Sequence, residues 1–360
     1  MKGRAMIAMS GGVDSSVAAL LMRDAGYACV GVTMKLFANE DVGENADRPC
    51  CSLADAGDAA RVAAGLGLPH YVFDFTEDFR REVVERFISS YEGGETPNPC
   101  IDCNDFLKFG KLLSRARAME FDVLATGHYA RICFDGERER WLLKRAADTE
   151  KDQTYFLYTM TQEQLAHTSF PLGGLVKAET RAIAAKAGFV NAKKAESQDI
   201  CFVRSGDYAG FAEAYAGRVS PPGDFVDEAG RVLGRHKGII RYTIGQRRGL
   251  GMAFGRPMYV CGIRAETNEV VLADEAAVFA KGIELRDVNL IAVSRIDRPL
   301  RADVMIRYGA RPAAATAAPA GEGRLRIEFD EPVRAPAKGQ AAVLYEGDVV
   351  IGGGRIDGIG

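Results

Sequence analysis

The sequence predicts an α/β chain: a parallel-sheet, Rossmann-like first domain, then a small central domain and a C-terminal β-barrel. Three observations carry that expectation. Short apolar runs alternate with amphipathic helical stretches through the first half, which calls for a parallel sheet with crossover helices. A glycine-bearing turn, Ser10–Ser16, joins the first apolar run to the first helical one. After about residue 205 glycines become frequent and the segments turn short and β-like.

Taken in order, Arg4–Met9, Ala28–Leu36, His70–Phe75 and Asp122–His128 read as strands. Ser15–Ala25, Leu53–Leu66, Glu77–Tyr91 and Phe106–Met119 read as helices between them. Val13, Val17, Leu20 and Leu21 recur at helical spacing, and Gly26 follows as a stop. Ser52 with Asp55 resembles a capping box, Asp standing for the usual Glu or Gln. Binding sites in such sheets lie beyond the carboxyl ends of the strands. Further on, Gly238–Tyr242, Pro257–Ile263 and Glu269–Leu272 look like short strands. Asp303–Tyr308, Leu325–Phe329, Ala341–Tyr345 and Asp348–Ile351 fit a small barrel, with Gly309–Gly323 as a loose connection.

Bulk properties narrow the class. A chain of 360 residues exceeds the usual single domain, and 47% hydrophobic with 26% charged residues is a globular composition. The formal charge of −3 excludes a uniformly basic nucleic-acid binder but not a local basic face. No run approaches roughly 18 uncharged apolar residues, so no membrane span is expected. The first strand begins almost at Met1, leaving no room for a targeting peptide, and the expectation is a cytoplasmic protein. The eight cysteines, unevenly spaced, read as thiols rather than a disulfide framework. Cys29, Cys133 and Cys261 sit in apolar stretches and read as small buried hydrophobes.

The strongest chemical signal is Ser10-Gly11-Gly12-Val13-Asp14-Ser15-Ser16. Glycines let the backbone approach a phosphate, and the helix that follows offers unpaired N–H groups and a positive dipole. The serines add hydroxyl donors, and Asp14 is a candidate Mg²⁺ ligand. No lysine follows the glycines, so this is no Walker loop. It resembles the pyrophosphate loop of the ATP pyrophosphatase superfamily, whose members split ATP between its α and β phosphates to adenylate a substrate.

Further motifs restrict the substrate. They are Thr96-Pro97-Asn98-Pro99-Cys100-Ile101-Asp102-Cys103-Asn104 with Lys108-Phe109-Gly110, Ala125-Thr126-Gly127-His128-Tyr129-Ala130, and Lys151-Asp152-Gln153-Thr154-Tyr155-Phe156. Glu196-Ser197-Gln198-Asp199-Ile200-Cys201-Phe202 and Tyr242–Gly251 complete the set. In this order they resemble the bacterial tRNA 2-thiouridylases, from about residue 5 through Arg307-Tyr308 and more weakly beyond.

That resemblance implies the following for this chain. Residues 1–205 form the adenylating ATP pyrophosphatase domain, 206–280 a tRNA-docking domain and 281–360 the barrel. Ala8, Met9, Ser10, Gly11, Gly12, Val13, Asp14 and Ser15, with Met34 and Gly127, bind ATP. Asn98, Pro99 and Cys100 lie near the target base. His128, Lys151, Asp152, Gln153, Arg307, Tyr308 and Gln340 touch tRNA. Cys201 carries a persulfide and Cys103 is its catalytic partner. The implied reaction adenylates the C2 carbonyl oxygen of a wobble uridine and transfers sulfur, giving 2-thiouridine, AMP and pyrophosphate. Implied partners are the Lys, Glu and Gln tRNA isoacceptors and a cysteine desulfurase or sulfur-relay protein.

One departure stands out. The family often has Asp at Cys100, so this chain carries Cys100-x-x-Cys103, and with Cys201 three thiols. Two readings stay open: an iron–sulfur cluster on Cys100, Cys103 and Cys201, or a metal-free persulfide route. Cys50-Cys51 at a helix start reads as incidental. From Arg231 to Arg264 there are eight Lys/Arg (Arg231, Arg235, Lys237, Arg241, Arg247, Arg248, Arg256, Arg264) and no acid, which predicts a phosphate-tracking face. The competing functions are a small-molecule ligase or amidotransferase of the same superfamily, and a non-catalytic ATP-sensing RNA binder. The first leaves the cysteines unexplained, and retention of Asp14 with both cysteines argues against the second.

Overall fold

The computed structural model describes residues 2–37, 53–194, 200–203 and 206–360. Ser52, Cys50, Cys51 and Glu196–Asp199, which figure in the sequence reading, lie outside the described residues. The first unit runs β1 (Arg4–Ala8), α1 (Val13–Asp24), β2 (Ala28–Lys35), α2 (Leu53–Gly65) and β3 (His70–Asp74). A helix over 76–92 and another over 99–118 lead to β4 (Val123–Ala125). The hairpin β5 (Arg131–Asp135) and β6 (Arg140–Lys144) precedes β7 (Thr168–Ser169) and the helix Lys177–Lys186.

Strand order in the first sheet is β3-β2-β1-β4-β7, and every neighbouring pair is parallel. All carboxyl ends therefore share one edge, which places the turn after β1 beside the ends of β2 and β4. The core strands read as continuous apolar runs because helices cover both faces: Ala5, Met6 and Ile7 are fully buried. α1 ends at Gly26 as expected; with φ +89 it continues the chain where a side chain would be strained.

The second unit is a four-stranded sheet, β8 (Gly223–Val226), β9 (Val232–His236), β10 (Tyr259–Arg264) and β11 (Glu269–Ala273), in the order β10-β11-β8-β9. The barrel follows: β12 (Phe279–Leu290), β13 (Leu300–Met305), β14 (Ala313–Pro319), β15 (Leu325–Arg334), β16 (Ala341–Glu346) and β17 (Val349–Ile359). Pairing of β12 with both β15 and β17 closes these six strands. The β5–β6 hairpin of the first unit extends the barrel sheet through Val349 and Lys144. Arg131 and Lys144 meet Asp348 there, and Arg138 meets Glu346.

Some local expectations are corrected. Gly309–Gly323 is no loose connection: it holds β14, paired on both sides, with Ala315 and Ala317 fully buried. Alanine has poor strand propensity, but its small side chain fits the barrel interior, and packing overrides propensity. Gly238–Tyr242 contains a 3₁₀ turn over Ile239–Arg241 rather than a strand. The helix expected over Phe106–Met119 starts at Pro99, seven residues earlier, and so includes Cys100 and Cys103. Cys29 is buried as expected and Cys261 partly so, whereas Cys133 is exposed on β5. Among the described residues no helix is long and apolar enough to cross a membrane.

Candidate active site

The turn after β1 is built tightly. Gly11 has φ +74, and a Cβ there would lie 2.2 Å from the Asp55 carbonyl oxygen of α2, so only glycine fits. Ser15 and Ser16 hydroxyls donate to the Gly12 carbonyl at 3.1 and 2.9 Å, and the Ser10 amide donates to Ser15 Oγ at 3.2 Å. Gly127, at the end of β4, comes as close: a Cβ would lie 2.7 Å from Ser15 N. Ala8 ends β1, Met9 is buried behind the turn, and Met34 is buried near the end of β2. The sequence-predicted ATP residues thus converge on one sheet edge.

Four further side chains secure this turn: Tyr129, which stands in a quoted motif, and Asn191, Lys194 and Lys177, which sequence reasoning missed. Asn191 Nδ2 donates to the Gly11 carbonyl and to Ser16 Oγ, both at 2.9 Å. Lys194 donates to the same carbonyl at 3.2 Å and pairs with Asp55 and with Asp58 (2.7 Å) of α2. Lys177 places its ammonium on both oxygens of Asp14, at 2.7 and 2.8 Å. Tyr129 donates its hydroxyl to Asp14 at 3.0 Å. No spacing signal links Asn191, Lys194 and Lys177 to the turn, from which they are more than a hundred positions away.

Asp14 therefore does not fit its expected role as a Mg²⁺ ligand in this arrangement, because both carboxylate oxygens already hold an ammonium. The iron–sulfur reading finds no support either. Among the described residues no group of three or more His, Cys, Asp or Glu is placed to hold a metal, although Cys100, Cys103 and Cys201 are all described.

The helix over 99–118 positions the first thiol. Asn98 caps it, accepting from the Cys100 amide at 3.2 Å, and Pro99 occupies the first turn where no amide is needed. Cys100 is exposed and Cys103 half-buried. Asp102, 2% exposed, pairs with Arg355 of β17 and so pins this helix to the barrel. Burial pushes the Cys103 thiol up, Lys108 opposes the shift and the Asp102 carboxylate adds to it. Burial thus favours the protonated form of Cys103, and sulfur exchange requires that proton to leave before the thiol can attack.

Cys201 precedes Phe202, whose ring meets Phe79 and Phe87 of the 76–92 helix edge-on at 5.7 and 5.3 Å. Cys103 and Cys201 border the same apolar cluster. That cluster runs through all three units, from Met6 to Val350; the closer link is the 76–92 helix, whose Phe87 meets Phe202 and whose Arg86 lies over Phe106 of the Cys103 helix at 4.4 Å.

The residues expected to touch tRNA divide into two groups. Tyr308, 45% exposed, stacks obliquely on Phe156 with centroids 4.3 Å apart, and Arg307 beside it is exposed. Gln340 donates to the Thr96 carbonyl at 3.0 Å and accepts from Tyr155 at 3.3 Å. Segments 96–104, 151–156, 307–308 and 338–341 therefore meet, as one surface for one ligand would require. His128, by contrast, is 9% exposed, with both ring nitrogens engaged. Lys108 can only donate, so Nε2 accepts from it at 3.5 Å and Nδ1–H donates to Thr126 at 2.7 Å. Burial and the Lys108 charge hold His128 neutral. Asp152 is also buried, accepting from the Ala146 amide and Thr154, and Gln153 accepts from the Tyr129 amide. His128 and Asp152 therefore sit behind the surface, while Gln153 is half-buried at its edge.

The basic segment is less bare than its sequence. Arg231, Arg235, Arg241, Arg256 and Arg264 pair with Asp227, Asp224, Glu213, Asp274 and Glu269, all outside the segment or at its far side. Lys237, Arg247 and Arg248 have no carboxylate partner among the described residues. Arg247 instead lies over the Tyr259 ring at 6.0 Å.

A parallel sheet with a glycine turn at its carboxyl edge defines a nucleotide-binding type of α/β domain, here followed by a four-stranded sheet and a closed barrel. Family models agree along the chain: the tRNA methyl transferase HUP domain matches residues 3–205, the tRNA methyl transferase PRC-barrel domain 211–274, and the aminomethyltransferase beta-barrel domain 280–356. The protein of Moorella thermoacetica named tRNA-specific 2-thiouridylase MnmA is 50% identical over 98% of this chain and 99% of its own. Proteins of the same name from Clostridioides difficile and Acetivibrio thermocellus are 47% and 46% identical, each match covering 99% of both chains. The chain belongs to the tRNA-specific 2-thiouridylase family.

Proposed function

We propose a reaction course for the tRNA 2-thiouridylase activity that family membership assigns to this chain. The Ser10–Ser16 turn holds ATP with its α-phosphorus toward the flipped uridine. The C2 oxygen attacks that phosphorus and pyrophosphate leaves, turning a poor leaving group into AMP. The terminal sulfur of a Cys201 persulfide then attacks C2 and displaces AMP. Cys103, as thiolate, attacks the inner sulfur of Cys201. The sulfane sulfur keeps the bonding pair and stays on the base as 2-thiouridine, while Cys103 and Cys201 become a disulfide that an external thiol reduces.

In this reading Asn98, Pro99 and Cys100 face the base, and Lys151, Arg307, Tyr308 and Gln340 face the tRNA. Residues 1–205 adenylate, 206–280 dock the tRNA and 281–360 form the barrel that braces the Cys103 helix. The substrates are wobble-uridine tRNAs of the Lys, Glu and Gln type, met in the cytoplasm, with sulfur delivered by a desulfurase or relay protein. The single observation that supports the course best is that the 76–92 helix touches both cysteine segments, Phe87 packing on Phe202 beside Cys201 and Arg86 lying over Phe106 of the Cys103 helix. The test separates its halves: Cys103→Ser and Cys201→Ser are expected to reduce 2-thiouridine, read by nucleoside mass spectrometry, to background. Both should bind ATP as the unmodified protein does. Sulfur transfer at the full rate by either variant would remove that cysteine from the course.

A further inference from the structure

The pyrophosphate turn lacks a feature its chemistry needs. Its amides and the α1 dipole supply about half a positive charge, whereas a departing pyrophosphate carries several negative ones. Walker loops meet such charge with their own lysine. Ser10–Ser16 contains none, and the carboxylate expected to recruit a cation, Asp14, is already occupied by one from the protein.

That cation is Lys177, the first residue of the helix Lys177–Lys186. Its side chain is 12% exposed, and its ammonium lies 5.6 Å from the centre of the Tyr129 ring. Tyr129 links the two sides of the arrangement, donating to Asp14 and lying 2.9 Å from Thr180 Oγ1, one turn along the lysine's helix. The Lys177 amide is held as well, donating to Asp148 at 2.9 Å. A desolvated ion pair of this kind adds little net stability, so gluing the helix to the turn does not account for it. Asp14 remains 32% exposed on the turn, which leaves the pair accessible from the nucleotide side.

We propose that Lys177 is the phosphate-binding lysine of this active site, held in place by Asp14 and Tyr129, and that it contacts the β- and γ-phosphates of ATP. As the bond from the α-phosphorus to the bridging oxygen breaks, the electron pair goes to pyrophosphate and the Lys177 ammonium offsets the charge that gathers there. The inference rests on the reading of Ser10–Ser16 as an ATP site.

Calorimetric titration with ATP, AMP and inorganic pyrophosphate tests both statements separately. Lys177→Met is expected to weaken ATP and pyrophosphate about 10- to 100-fold, the scale of a lost hydrogen bond to a charged group. AMP affinity should stay within about twofold, which also shows that the variant is folded. Lys177→Arg should recover most of the loss, and Lys186→Met, which removes the same charge from the far end of the helix, should change nothing. Equal changes in ATP and AMP affinity, or none in either, would overturn the assignment. Failure of the unmodified protein to bind either nucleotide would instead sink the ATP-site reading beneath it.

Discussion

Asp105 lies two positions beyond Cys103 on the same helix, and burial, with the Asp102 carboxylate second, pushes it up to about 6. The folded protein therefore holds this proton more tightly than the unfolded chain does. Its contribution is present below the ordinary Asp range and is lost as pH rises through about 6. Asp105→Asn cannot lose it. In urea unfolding, the variant should gain on the unmodified protein as pH rises from about 4 to 6, with the gap flat above that. A gap independent of pH would remove burial of this carboxyl as the cause. Individual residues were only partly legible in the sequence. Gly11, Asp14 and Cys103 announced themselves by motif. Lys177, Lys194 and Asn191 did not, because a side chain that completes a site from another element leaves no local pattern.

The helix over 99–118 shows how an element acquires its place. Its start is local chemistry: Asn98 as cap and Pro99 in the first turn. Its docking is not local, since Asp102 pairs with Arg355, more than 250 positions away. Arg355→Met would leave a carboxylate in a nearly solvent-free site, at a cost of about 3–5 kcal/mol. The double variant Asp102→Leu with Arg355→Met should regain most of that loss in denaturant titration, because two apolar side chains replace a buried pair at little net cost. If the single variant were as stable as the unmodified protein, the barrel would not be what holds the Cys103 helix. Strand β14 makes the same point in reverse: its alanine-rich run carries no strand signal, yet pairing on both edges makes it one.

Over the whole molecule, charge is redistributed by folding. Eight unopposed basic residues in sequence become three without a carboxylate partner among the described residues: Lys237, Arg247 and Arg248. Phosphate binding by these three should account for the larger share of tRNA affinity in this unit, because the other five already have acidic neighbours. Replacing Lys237, Arg247 and Arg248 by Gln should weaken tRNA binding. It should also flatten the log–log salt slope by roughly 0.7 for each phosphate that is no longer neutralised. The same change at Arg231 and Arg264 should do less, measured by filter binding across a salt series. Equal losses from both sets would mean that the ion pairs open on binding.

Taken alone, the sequence determined the alternation that makes the first sheet parallel, the glycine turn at its edge, the motifs that hold Cys103 and Cys201, and the β character of the last third. Each of these is set by neighbours within a few residues, through backbone sterics, periodicity or capping, and such causes can be read along a chain. Only the tertiary structure decided that Lys177 sits on Asp14, that His128 and Asp152 turn inward, and that Arg355 braces the Cys103 helix. It also decided which basic residues keep their charge exposed. Those outcomes depend on which distant groups share a low-dielectric space, and burial and pairing of that kind have no signature in residue order.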